Sequence, residues 1–233
     1  MAAIVEIADE RAPLASEALG LITASFARED RHPLAHLRSE IAEKRLRLLS
    51  IYDFHLLARL DDDADERVAA VAIGVYLAGV NCGFISYLAV RTDLRGRGAG
   101  REVRGALIEA FREDARRSGR ADLDAVVGEV KANSPWIFRL VRDRGAIPLD
   151  LTYYHPGMTP GASPDPYLLY REPIGDHRRE LSALEVRQLI YAVWRRAYRV
   201  RYPLEREAFV AMLAETEGRE TIGAHPIAAP PHA

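Results

Sequence analysis

The stretch Arg95-Gly96-Arg97-Gly98-Ala99-Gly100-Arg101 is the part of the chain best suited to chemistry, because glycine alternates with basic or small residues. Glycines at 96, 98 and 100 let backbone N–H groups turn toward one concavity, and a helix that starts there adds unpaired N–H groups and a positive dipole end. Arg95, Arg97 and Arg101 supply charge-assisted hydrogen bonds to phosphate oxygens, each contributing about 1.5 to 3 kcal/mol where partly desolvated. The bland alternative is a tight turn with solvated arginines. Three alternating glycines argue against it, since each costs roughly 0.5–1 kcal/mol of backbone entropy that a plain turn need not bear. The expected ligand carries a pyrophosphate.

The surrounding elements give the loop its context. Strands are expected at 4–7, 52–60, 67–77 and 83–90, and helices at 12–26 and 34–49, from period-two and period-3.6 apolar patterns. Val103, Leu107 and Phe111 recur at every fourth position after the glycines, with Ala106 and Ala110 alongside, which predicts an amphipathic helix ending near Gly119. A strand at 123–130 follows, then a helix from Pro135 to Arg144 closed by Gly145. Segments 147–155 and 167–170 read as extended, on either side of a Pro- and Gly-rich loop, and 181–200 and 204–213 as two helices. The division expected is a domain over 1–173, a helical C-terminal extension over 174–221 and a frayed, Pro-rich tail over 222–233.

Two nucleotide motifs fail on the letters. Walker A needs a lysine after its last glycine, and lysine occurs only at 44 and 131. The dinucleotide pattern GxGxxG meets Arg101 or Val103 where its last glycine belongs. What matches is RxxGxG, as Arg95, Gly98 and Gly100, after a strand ending Leu88-Ala89-Val90 and before a long helix. This resembles the coenzyme A loop of the GNAT superfamily of N-acetyltransferases, and the order of elements over 1–173 extends the resemblance.

The resemblance implies an α/β (α+β) fold with a central mixed, mainly antiparallel sheet flanked by helices. It implies acetyl-CoA as co-substrate, held by residues 95–101, that is Arg95, Gly96, Arg97, Gly98, Ala99, Gly100 and Arg101. The strands at 84–90 and 123–129 would splay, and the pantetheine arm would pair with Leu88, Ala89 and Val90. Asn133 would face that arm, unless it is simply the N-cap of the next helix. The implied acceptor is a primary amine on a small molecule or peptide, with Glu129 as base acting through water, or else as a surface ion-pair partner. The family's YxxxG tyrosine acid falls on Val141, so Tyr153, Tyr154 or Tyr87 would replace it, the thiolate would leave unprotonated, or the chain would be a non-catalytic acyl-CoA-binding module. Only one of Tyr153 and Tyr154 can face a cleft if the strand is extended, and both also suit apolar packing.

Other constellations carry less. The acidic run Asp61, Asp62, Asp63, Asp65 and Glu66 lacks the glycine and the final glutamate of a calcium loop and reads as a solvated hairpin tip. His32 and His36 lack a third ligand, so no metal is expected. His55 sits on a strand and either faces an acceptor or pairs with a neighbour. Trp194, Tyr198 and Tyr202 stand among Arg195, Arg196, Arg199 and Arg201, which reads first as helix packing with a charged outer face. Ser134 has no nucleophile-elbow context.

Composition is that of a folded protein of 233 residues, 48% hydrophobic and 28% charged. A formal net charge of −2 provides no field for polyanions, so no nucleic-acid partner is expected. With Cys82 the only cysteine, an intrachain disulfide is excluded, and the first residues carry no basic and apolar leader. A cytoplasmic, non-membrane protein is expected, and a homodimer is compatible with all of this.

Overall fold

A computed structural model describes residues 3–28, 31–46, 53–61, 68–156, 160 and 167–228. The chain forms two compact units, residues 1–76 with 85–119 and residues 77–84 with 120–233. This division differs from a boundary at residue 173, because one strand, β4 (Cys82–Val90), contributes its first part to the second unit and the rest to the first.

In the first unit the strand order is β1 (Ile4–Glu6), β2 (Phe54–Leu60), β3 (Val68–Leu77), β4. β1 and β2 are antiparallel, with Val5 opposite Ala58, and so are β2 and β3, with Leu57 opposite Ala72 and a bulge at Arg59 and Leu60. β3 is buried along its whole length, which explains why its residues do not alternate between apolar and polar. Helix α1 (Pro13–Ser25) opens on a proline and buries Ala15, Ala18, Leu19 and Ile22, one face at helical spacing. Helix α2 (Leu34–Arg45) is shorter than the expected 34–49, and residues 47–50 lie outside the described part. The acidic run from Asp62 to Glu66 lies outside it too, while Asp61 pairs with Arg91 at 2.8 Å. Helix α3 (Ala99–Arg117) buries Val103, Leu107 and Phe111, the expected stripe, together with Asp114 and Ala115.

Asp114 is tolerated in that stripe because His55 meets it. The imidazole Nε2 lies 2.8 Å from Asp114 Oδ2 and Nδ1 lies 2.8 Å from Glu6 Oε1. Carboxylates at both nitrogens favour the imidazolium, which donates to both, against the Lys44 ammonium 3.3 Å from Nδ1. Lys44, on α2, binds the same Glu6 oxygen as His55 Nδ1, and Arg117 binds Asp114. Burial opposes the charge on His55, but hydrogen bonds to Asp114 and then Glu6 outweigh it and raise its pKa above 6.5. Burial likewise opposes ionisation of Glu6, yet hydrogen bonds from His55 and Lys44 hold it down at about 2. One network thus ties β1, β2, α2 and α3.

In the second unit β5 (Ala125–Lys131) pairs antiparallel with β7 (Tyr167–Pro173), Glu129 opposite Leu169, and β6 (Ile147–Pro148) pairs with the far side of β7. The extended segment expected at 147–155 is a strand for only two residues, continued by isolated bridges Leu149 to Ala224 and Tyr153 to Tyr167. Pro148 has no N–H to give, and a local bond from Leu151 N–H to the Leu149 carbonyl, 2.9 Å, bends the chain away. Helix α4 (Pro135–Arg144) ends at Gly145 with φ +63°, as its lack of a side chain requires.

The C-terminal part departs further from its expected pattern. Leu181–Ser182 is not helix but strand β8, paired with β9 (Thr221–Ile222), and Ser182 and Glu185 form a capping box for α5 (Ala183–Ala192). A π-turn, Val193–Ala197, follows, and α6 (Glu207–Ala214) starts later than 204 because Pro203–Glu205 forms a 3-10 turn. Residues up to Ala228 of the expected frayed tail are placed: Ile227 packs against the core of Val130, Ile137, Leu140, Ala146, Leu168 and Tyr170. Among the described residues no helix is long and apolar enough to cross a membrane.

The His55 network predicts the pH dependence of stability. A raised histidine pKa stabilises fully below its unfolded value of 6.5 and is lost as pH rises through the folded value, whereas the lowered Glu6 contributes above 4.5 and fails only near about 2. Thermal melts should therefore fall as pH climbs above 6.5 in the native protein. His55→Gln should cost about 3 kcal/mol at acid-neutral pH and flatten that decline. An unchanged slope in the variant would place the pH response elsewhere.

Candidate active site

Two groups of residues that can do chemistry stand out, one in each unit. In the first, β4 ends at Val90 and the chain reaches α3 through a short 3-10 turn and the glycines. Gly96 and Gly98 have φ +80° and +90°, conformations that a side chain would strain. Gly100 is required for a different reason: a Cβ there would lie 2.9 Å from Val90 Cγ2, so its bareness lets the helix start close against the strand. Gly98 is the N-cap of α3, and no side chain caps the helix. The amides of Arg95 and Arg97 are engaged in turns to Thr92 and Leu94 carbonyls at 3.4 Å. The amides left for an anion are therefore those of the first helical turn, with the exposed side chains of Arg95, Arg97 and Arg101 nearby in sequence. Arg91 is not available for this purpose, being held by Asp93 and Asp61.

In the second unit Glu129 of β5 is the centre of a polar cluster in apolar surroundings. The Tyr198 hydroxyl donates a short hydrogen bond to Glu129 Oε1, and His155 Nε2 lies 3.5 Å from the same oxygen, the two side chains being 10% and 12% exposed. His155 stands edge-on to Tyr198 at 4.8 Å and against Tyr167 at 5.8 Å, while Phe84 meets Tyr198 at 5.7 Å. Tyr153 is wholly buried, and burial first, then the Glu129 charge, pushes its phenol well above 10. It is thus a poor proton donor to a leaving group. Tyr154 is half-buried, with its backbone N–H on Met212 sulfur at 3.3 Å.

Residues 21–127 match the model of the Acetyltransferase (GNAT) family, a span that contains the glycine loop and stops short of Glu129. Over that span the chain matches a GNAT acetyltransferase domain. The fold agrees. The ribosomal-protein-S18-alanine N-acetyltransferase of Escherichia coli superposes with a TM-score of 0.52 at 16% identity, over 78% of this chain and 99% of that one. A protein of Acinetobacter baylyi ADP1 assigned as an acetyltransferase gives 0.53 at 15%, over 76% and 94%. The NatC complex bound to Gag peptide and CoA gives 0.51 at 13%, over 74% and 98%. At these identities the likeness is one of fold, that of a mixed sheet flanked by helices. No curated protein matches the sequence significantly.

Several residues take places that GNAT sequence patterns alone do not assign. Val141, at the family's tyrosine position, packs beside Leu140 on the core that also holds Ile137 and Tyr170. Asn133 is exposed and is not the N-cap; Ser134 is, accepting from Trp136 N–H at 3.3 Å. Tyr87 accepts from His32 N–H at 2.8 Å and touches Phe26, so its hydroxyl serves the chain that leads into α2. His32 and His36 stack edge to face at 5.1 Å. His155 and Tyr198 went unassigned in sequence because the partners 129, 155 and 198 are far apart along the chain. The only local signal was a tyrosine in an arginine-rich run that reads as an ordinary helix face.

The contact between Gly100 and Val90 is directly testable. Gly100→Ala should lower stability by about 1–3 kcal/mol through overpacking. Adding Val90→Ala should return much of that loss. Strictly additive melting temperatures in the double-mutant cycle would show that the two positions do not touch.

Proposed function

We propose that this chain transfers the acetyl group of acetyl-CoA to a primary amine, carried by a small molecule or a peptide end, in the cytoplasm. The observation that carries the reading is the start of α3. Gly98 leaves its first amides uncapped, Gly100 brings it against β4, and three exposed arginines flank it. A pyrophosphate there meets helix N–H groups, dipole and guanidinium together. The adjoining backbone of Leu88, Ala89 and Val90 is the proposed track of the pantetheine arm. Two proteins of like fold support an amine acceptor, one named for acetylating an alanine and one bound to a peptide and CoA.

The reaction joins the amine nitrogen to the acetyl carbon, breaks the thioester and releases CoA thiol with one proton. An ammonium must first lose a proton, because its nitrogen has no lone pair to attack with. Glu129 is proposed to accept that proton, directly or through water. Its place among aromatic side chains favours a carboxylate held in one orientation over a surface ion-pair partner.

Calorimetric titration with acetyl-CoA and free CoA, with ATP as a control, tests the donor site. Micromolar binding of both CoA species, lost in Gly98→Glu through clash and like charge, is expected; binding that survives the substitution would refute the loop assignment. On an amine panel, Glu129→Gln should lower turnover about 100-fold near neutrality and recover in part at high pH, where the amine is already neutral. Tight CoA binding with no turnover on any amine would instead favour an acyl-CoA-binding module.

A further inference from the structure

We propose that Glu129 does not work alone but shares its proton with His155, so that a proton taken up by the carboxylate comes to rest on the imidazole, with Tyr198 as the residue that positions the pair. The inference rests on the reading of Glu129 as the base. It begins with the tautomer. His155 Nδ1 lies 2.8 Å from the Pro156 carbonyl oxygen, an acceptor only, so Nδ1 carries hydrogen. In the neutral ring the lone pair is then on Nε2, the atom 3.5 Å from Glu129 Oε1. Two acceptors facing each other become complementary when one proton joins them.

The surroundings fix both partners. Tyr198 donates to the same Oε1 and sets its ring edge-on to the imidazole at 4.8 Å, so one side chain orients the carboxylate and limits the rotation of the ring. Tyr167 of β7 is 5.8 Å from the imidazole, with Lys131 Nζ 5.9 Å beyond over the tyrosine ring. Tyr153, on the same segment as His155, faces Glu129 with a phenol that stays neutral. Among the described residues, the charged and titratable groups around His155 are thus Glu129, Tyr198, Tyr167, Tyr153 and, at a remove, Lys131.

The proton balance is simple. The ammonium gives one proton to the Glu129 carboxylate and becomes an amine. The carboxylic acid gives it to Nε2, which restores the carboxylate and leaves an imidazolium beside it. The pair is largely shielded from water, where attraction between imidazolium and carboxylate is stronger than in solution. Solvent removes the proton after product leaves.

Tyr198 owes its position to the C-terminal segment. Its N–H reaches the Val193 carbonyl at 3.1 Å, the long-loop bond of a π-turn, and the next residue, Arg199, has φ +54°. Turns of this kind inside helices often accompany functional sites. The extension therefore completes the carboxylate site and is no mere appendage.

The experiment is NMR titration of the His155 ring nitrogens in full-length protein without substrate, using imidazole-labelled wild type, Glu129→Gln and Tyr198→Phe. The neutral ring should carry its hydrogen on Nδ1. Removing the carboxylate charge should lower the His155 midpoint relative to wild type. Tyr198→Phe, which leaves Oε1 without that donor and a better acceptor, should raise it. A hydrogen on Nε2 in the neutral ring, or a midpoint that neither substitution moves while circular dichroism is unchanged, would overturn the pairing. If the midpoint moves but Glu129→Gln turns over amines like wild type, the base reading fails and the catalytic use of the pair fails with it. If CoA fails to bind, only the donor reading falls.

Discussion

An imidazole between two carboxylates has one protonation state that satisfies all three groups, and the first unit is built around that state. A neutral His55 turns a lone pair toward Glu6 or Asp114, so the two carboxylates favour the imidazolium. Each carboxylate in turn brings its own cation, Lys44 at Glu6 and Arg117 at Asp114. The outcome is a chain of alternating charges centred on the buried His55–Asp114 pair, where removal of the imidazole takes a partner from both carboxylates at once. Buried pairs often add little net stability over apolar packing; what they add is a definite register. Here the register is that of α3 on β2, which an all-apolar stripe of Val103, Leu107 and Phe111 could satisfy in more than one way.

That register governs the loop proposed to hold the donor. Phosphate recognition by a helix start needs the amides at a defined place, and α3 is located at one end by Gly100 against Val90 and toward the other by Asp114 on His55. Glu102 in the first turn is kept occupied by Arg59 of β2 at 2.8 Å, which lessens its repulsion of an approaching anion. Sequence features that look independent, a glycine run, a buried histidine and an aspartate inside an apolar stripe, are parts of one arrangement for holding a helix N-terminus still.

What could be read from the residues followed from how local the signal was. The stripe of α3, Pro135 and Gly145 at the ends of α4, and the glycine loop each declare themselves within a few residues, and their elements lie where expected. Leu181–Ser182 resembled the first turn of α5 because its apolar spacing continues that helix; its pairing with Thr221–Ile222 depends on residues far downstream. The end of the chain looked too proline-rich to pack, yet Ile227 needs only one apolar side chain to reach the core, and His225 N–H binds the Pro148 carbonyl at 2.8 Å. Glu129 was legible as a candidate base from its strand and the family pattern. His155 and Tyr198 were not, since nothing in the sequence says that a π-turn will deliver a tyrosine to a carboxylate in another element.

The same non-locality bears on the absence of a tyrosine at 141. A phenol can reach one carboxylate oxygen from several directions, and what matters physically is a donor of fixed orientation in a site that excludes water. On α4 that position is committed to packing, since Val141 lies against the core formed by Ile137, Leu140 and Tyr170. Tyr153 is close to Glu129, but its complete burial and the carboxylate charge both disfavour the phenolate, so it stays neutral and does not exchange its proton readily. Tyr198 differs in being held by a strained segment: a left-handed arginine costs about 1–2 kcal/mol, which the packing of Trp194 against Phe209 at 5.2 Å must offset. A fold keeps such a conformation when the surrounding contacts over-determine it. Here the strained turn and the buried indole sit immediately beside a hydroxyl that donates to Glu129, which supports reading the C-terminal segment as part of the proposed site.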